Sequence, residues 1–180
     1  TSGLPMVSNI PDSASALSPA EILALTWNEA LQFEPGTQSA YSNSESVLLK
    51  WMVERVTGMP YGEALSLFVF DPVGLSDTGY EYGLTSTGTR AKGYTRQLME
   101  YEPVQDSYSR LPYVDEILFS TVRDLRRWAS VISEWEETPS LFLEQETLEQ
   151  MLTPSPESYG YGFHIRHQSI GREDNVELIE

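Results

Sequence analysis

Residues 33–44 read Phe33-Glu34-Pro35-Gly36-Thr37-Gln38-Ser39-Ala40-Tyr41-Ser42-Asn43-Ser44. The Pro-Gly pair closes one segment. A phenol, a hydroxyl and a carboxamide then stand on three successive residues at the mouth of a helix. The first backbone N–H groups of a helix have no partner inside it, so three hydrogen-bonding side chains placed there form a candidate polar site. The same letters also carry ordinary helix chemistry. Ser42 and Ser44 are good N-cap residues, and Ser42-x-x-Glu45 has the spacing of a capping box. Spacing alone leaves both readings open, with capping the commoner of the two.

Working outward, the spacing predicts a helix over about 44–57. Val47, Leu48, Trp51, Met52 and Val56 recur at intervals of three and four, giving one apolar face with Glu45, Lys50, Glu54 and Arg55 mainly off it. Gly58 stands where a left-handed cap is wanted. Pro60 opens a second helix to about residue 69, with Ala64, Leu65, Phe68 and Val69 inward, and Asp71-Pro72-Val73-Gly74-Leu75 is expected to break it. On the other side, residues 1–17 read as an ordered loop. Ser18-Pro19-Ala20-Glu21 starts a short helix, with Ile22, Leu23, Leu25 and Trp27 as its stripe.

Residues 76–119 hold little helical period. Residues 91–96 and 97–104 read as short strands or a hairpin. Tyr80, Tyr82, Tyr94, Tyr101, Tyr108 and Tyr113 fall in or near them; such tyrosines suit a cleft wall, or half-buried loop packing. A further helix begins at Ser120, with Leu125, Trp128, Ala129 and Ile132 as its stripe. Arg123, Arg126 and Arg127 lie off the stripe, where pairing with carboxylates is expected rather than an anion site. Another helix spans about 143–152. The alternation in Tyr159-Gly160-Tyr161-Gly162-Phe163-His164-Ile165 predicts a strand with one buried face, its glycines admitting a close neighbour. After a polar turn at 169–175, residues 176–180 are its antiparallel partner.

Composition limits the chemistry. The 180 residues carry 11 basic against 27 acidic side chains, a formal charge of -16. Phosphate backbones need a basic surface, so nucleic acid is not an expected partner, nor is an anionic membrane surface. There is no cysteine, which removes disulfides, thiolate catalysis and cysteine-bound metals. The two histidines, His164 and His167, are too few for a three-histidine zinc site. No metal and no cofactor is expected. No apolar run approaches the ~20 residues of a membrane span. There is no Gly-x-Ser-x-Gly elbow and no phosphate-binding glycine loop. Tyrosine remains. A phenol can act as a base when a nearby cation lowers its pKa and a hydroxyl is there to be activated. Tyr41 with Asn43 fits half of such a site. The other half, Ser-x-x-Lys, is absent: Ser46 and Lys50 are four apart, and Thr89-Arg90-Ala91-Lys92 has threonine.

An ordered set of motifs now fits together. Thr1-Ser2-Gly3-Leu4-Pro5, Phe33-Glu34-Pro35-Gly36-Thr37, Tyr41-Ser42-Asn43, Gly58-Met59-Pro60-Tyr61, Phe70-Asp71-Pro72-Val73-Gly74-Leu75-Ser76-Asp77-Thr78, Ala91-Lys92-Gly93-Tyr94, Ser120-Thr121-x-x-Asp124-Leu125 and Tyr159-Gly160-Tyr161-Gly162-Phe163 follow in one sequence. In that order they resemble the serine β-lactamase and penicillin-binding-protein-like hydrolases, in the branch of class C β-lactamases, esterases and D-alanyl-D-alanine carboxypeptidases. The resemblance implies an α+β, mainly helical fold: residues 1–158 as the helical lobe of a β-lactamase/transpeptidase-like fold, and 159–180 as a short antiparallel hairpin of its central sheet. It implies acyl transfer on amide, lactam or ester bonds of a small-molecule or peptide substrate. Tyr41 would be the general base or proton relay, Asn43 a substrate-orienting group, and Ser42 and Tyr161 would sit at the substrate. The family's Ser-x-x-Lys and its Lys-Thr-Gly or His-x-Gly motif are not in these residues. The chain is therefore expected to be an interior fragment, inactive alone and able to self-associate through 159–180. An exported or cell-envelope location is suspected from the family. The alternative is a non-catalytic module that binds a peptide or protein partner between its helices.

Overall fold

A computed structural model of the chain describes residues 2–5, 20–21, 24, 27, 29–80, 91–97, 100–103, 118–133, 143–155, 159–169 and 175–179. Its central element is helix α1, Asn43–Thr57, which ends at Gly58 in the left-handed conformation (φ 69°), its N–H bonded to the Glu54 carbonyl. That stop was readable from the glycine. The buried face was not. Val47 and Lys50 point inward, whereas Leu49, Met52 and Val56 are exposed among the described residues. The apolar stripe expected from Val47 to Val56 therefore splits, and a lysine takes the inner position. Lys50 can do so because its ammonium reaches Tyr80: Nζ donates to the phenol oxygen at 3.1 Å, which answers the desolvation of the charge.

The second helix runs further than expected. α2, Tyr61–Leu65, passes into a wide π turn, Ser66–Phe70, and then into α3, Asp71–Val73. Proline at 72 has no N–H, and its ring crowds the carbonyl four residues back. Widening the preceding turn accommodates it, with the Asp71 N–H bonded to the Ser66 carbonyl. The helix then ends at Gly74 (φ 75°). Each wide turn adds a residue, so the inward face shifts. Phe70 and Val73 are buried, while Phe68, expected inside, is about half exposed.

Helix α4, Val122–Ser133, starts one residue later than its serine suggests: Thr121 Oγ1, not Ser120, accepts the Asp124 N–H at 3.3 Å. Asp124 and Ile132 are buried on this helix, while Leu125 and Ala129 are exposed, so the expected stripe is rotated. Phe70, Val73 and Leu75 form one core cluster. Ile132 forms a second with Leu148 and Leu152 of α5, Gln145–Leu152. Trp128 packs against both and joins them.

The strands are short and pair in twos. β1, Gly79–Tyr80, pairs antiparallel with β4, Leu118–Phe119. β2, Tyr94–Gln97, pairs with β3, Glu100–Pro103, near the predicted positions. β5, Ile165–Ser169, pairs antiparallel with β6, Asn175–Ile179. The strand predicted over 159–165 is instead a tight reversal. Tyr159 bridges to His164, the Gly160 N–H bonds the Phe163 carbonyl at 2.9 Å, and Gly162 takes φ 83°. Alternation there mimics a strand because the two glycines build a turn. Gly160 does admit a close neighbour, since a Cβ at that position would collide with the Met151 carbonyl oxygen.

Several expectations lie outside the described residues: the loop over 6–19 with Ser18 and Pro19, the stripe residues Ile22, Leu23 and Leu25, Tyr82, Tyr108 and Tyr113, and the turn at 170–174. Ala20, Glu21, Ala24 and Trp27 are helical. No helix among the described residues is long and apolar enough to cross a membrane.

Candidate active site

Two separate stretches meet at the N-terminal end of α1. Ser2 Oγ donates to Glu45 Oε1 in the helix's first turn, and the Leu4 N–H bonds Ser2 Oγ at 2.9 Å. The Gly3 carbonyl accepts the Gln32 N–H at 2.8 Å. Gly3 is in the left-handed region (φ 75°), and a side chain there would strike the Phe33 carbonyl, so only glycine fits. The Glu34–Thr37 turn follows. Pro35 and Gly36 (φ 82°) suit its central positions, and the Thr37 N–H and Oγ1 both bond the Glu34 carbonyl, at 3.1 and 2.6 Å. The Thr-Ser-Gly-Leu-Pro segment, 43 residues before Glu45 at its serine, is thereby held against the same helix turn that Tyr41-Ser42-Asn43 opens.

The tyrosine of that triplet is open to solvent, with its side chain 74% exposed. Ser42 has the extended backbone of an N-cap (φ −148°, ψ 114°). Its hydroxyl makes no cap bond, however, and is buried without a hydrogen-bond partner among the described residues. The serine side of the capping box is therefore not made, and Glu45 serves the upstream segment. Asn43 is the first residue of α1. Tyr161 lies on the 160–163 reversal, where its N–H bonds the Met151 carbonyl at 2.8 Å and its ring is largely exposed. The structure thus brings Tyr41, Ser42 and Asn43 together with Ser2 and Glu45. Tyr161 belongs to a different element.

A groove of about 860 Å³ lies further along α1, lined by Lys50, Glu54, Tyr61, Ser66, Asp71 and Tyr80 among others. Tyr61 and Tyr80 meet edge to face, centroids 5.3 Å apart, and the Tyr61 N–H bonds Glu54 Oε1 at 3.1 Å. Burial, and secondarily the neighbouring Tyr80, push the Tyr61 phenol above its ordinary value. Lys50 was set off the apolar stripe in the sequence. The only available hint that it turns inward was its isolation in a lysine-poor chain.

The chain's fold is shared with a penicillin-binding protein and a D-amino acid amidase. It superposes with a TM-score of 0.72 on a penicillin-binding protein from Bacillus halodurans, at 24% identity, covering 93% of this chain and 54% of the other. On a D-amino acid amidase from Ochrobactrum anthropi SV3 the TM-score is 0.67, at 26% identity over 99% of this chain and 53% of that one. A D-aminopeptidase from Gluconobacter oxydans (strain 621H) is 27% identical over 151 residues, 79% of this chain and 27% of its own length. The chain therefore spans about half the length of these solved structures and about a quarter of the aminopeptidase. The Beta-lactamase family model matches residues 1–172, and the chain belongs to that family.

Proposed function

We propose that this chain carries the tyrosine–asparagine half of a serine acyl-transfer site. In the whole protein a serine hydroxyl attacks an amide, lactam or ester carbonyl. Tyr41 takes the serine proton and returns it to the departing nitrogen or oxygen, and water then releases the acyl group. Asn43, on the next turn of chain, orients the substrate amide. Ser42 and Tyr161 contribute to the substrate's surroundings. The observation that carries the reading is the meeting of the Thr-Ser-Gly-Leu-Pro segment with the first turn of α1, through Ser2 and Glu45, beside an exposed Tyr41 phenol. The names of its relatives support an amide-type substrate, including D-amino acid amides.

The 180 residues contain no Ser-x-x-Lys, so the proposal makes the isolated chain inactive. It should give no acylation burst with a chromogenic β-lactam or a p-nitrophenyl ester. Stoichiometric covalent labelling of any of its serines would overturn the proposal. In a protein that includes the nucleophile, Tyr41→Phe should lower kcat/KM by roughly 10²–10⁴, and a near-wild-type rate would remove Tyr41 from the proton relay. Residues 159–180 are read as part of the family's central sheet. With an unpaired strand edge they should let copies associate, and a constant monomer mass by light scattering at rising concentration would count against this.

A further inference from the structure

One of the three arginines of α4 is not occupied as the sequence suggested. Arg127 Nη1 donates to the Gly74 carbonyl at 2.6 Å, not to a carboxylate. Arg123 and Arg126 are exposed. Together they line an open groove of about 760 Å³ with Ser76, Ser130, Val122 and Asp124. Asp124, the one acid among the described lining residues, is buried and already accepts the Asp77 N–H and the Thr78 hydroxyl, at 2.7 and 2.8 Å. Three guanidinium groups against one committed carboxylate give the described lining an excess of two positive charges. The chain as a whole carries -16. A local reversal of sign against so acidic a background is what a small anion would sense.

We infer that this groove binds a dianionic phosphate group, free or as a monoester. Guanidinium presents planar paired donors that match a phosphate's oxygens, and two seryl hydroxyls supply further neutral donors. Two positive charges in excess suit a dianion better than a single carboxylate. A small ligand fits better than an extended polyanion. Beyond a Debye length of about 8 Å the groove's field is screened, and a polymer would lie along an acidic surface that repels it.

The test is an NMR titration of the arginine Nε–H signals at constant ionic strength, with inorganic phosphate, glycerol phosphate and acetate as separate arms. Saturable shifts are expected for phosphate, for glycerol phosphate or for both, with Kd on the order of 1 mM because the site is open. A response confined to glycerol phosphate assigns an esterified ligand, and an equal response assigns the phosphate group itself. Arg123→Ala with Arg126→Ala should weaken binding at least tenfold while leaving the circular dichroism spectrum and urea midpoint in place, since both side chains are exposed. No saturable shift with either phosphate, an equal response to acetate, or unchanged affinity in the double variant would each overturn the inference.

Discussion

Asp124 shows how much one side chain can hold. It is buried at the start of α4 and its carboxylate accepts the Asp77 N–H and the Thr78 hydroxyl, while Thr78 also contacts Ser120 at 2.8 Å. Replacing it with alanine leaves the part-buried Asp77 N–H without its acceptor and the Thr78 hydroxyl with Ser120 alone, so Asp124→Ala should cost about 1–3 kcal/mol of stability in urea titration. Tyr61 makes a different prediction. Burial first, and Tyr80 second, raise its phenol's pKa, so folding favours the neutral form. That contribution is complete below the unfolded value near 10 and is lost as pH rises through the higher folded value. Unfolding free energy should therefore fall above about pH 10, and Tyr61→Phe should flatten that limb. Neither residue's role was legible in the letters. Asp124 sat within a recognisable motif, but its partners are 46 and 47 residues away, and no local spacing encodes a contact at that range. Tyr41-Ser42-Asn43 was legible as a unit, since its members are adjacent. The burial of Ser42 was not, because burial depends on what the rest of the chain lays over it.

At the scale of elements, helix ends were the most readable features, since a stop signal is a local property. Gly58 takes the left-handed backbone that its position suggested, and Gly74, within the expected break, takes it too. Faces were less readable. In α1 the spacing placed Lys50 off the apolar stripe, yet the lysine is inside while Met52 and Val56 are exposed. In the 61–73 helix the π turn moved Phe68 out and Phe70 in. A helical period assumes a constant number of residues per turn, and Pro72 alters that number. The glycines separate two causes of instability. At Gly58 nothing lies within 4 Å of an added Cβ, so Gly58→Ala should cost only the left-handed penalty, about 1 kcal/mol. Gly160 has an ordinary backbone but faces the Met151 carbonyl, so Gly160→Ala should cost more, about 2–3 kcal/mol, through overpacking. Urea midpoints of the two variants would rank them, and the reverse order would refute the distinction.

For the molecule as a whole, the order of the motifs made the family legible, and the resemblance in turn implied the α+β, mainly helical class. How the pieces meet was not. The join between the Ser2 segment and Glu45, and the pairing of Gly79–Tyr80 with Leu118–Phe119, are long-range facts that only the folded chain displays. That second pairing has a topological consequence. Gly79 faces Phe119 and Tyr80 faces Leu118, so the chain departs at 80 and returns at 118 through a single doorway. Within the excursion, β2 and β3 pair with each other and their side chains are exposed. The β1–β4 pair thus holds the two ends of the 81–117 excursion side by side. A two-residue Asn-Gly turn should be able to close the doorway, leaving the urea midpoint of the helices within about 1 kcal/mol of its original value. A graft of foreign sequence between the same two residues should be carried equally well, because the β1–β4 pair sets the distance that any insert has to span.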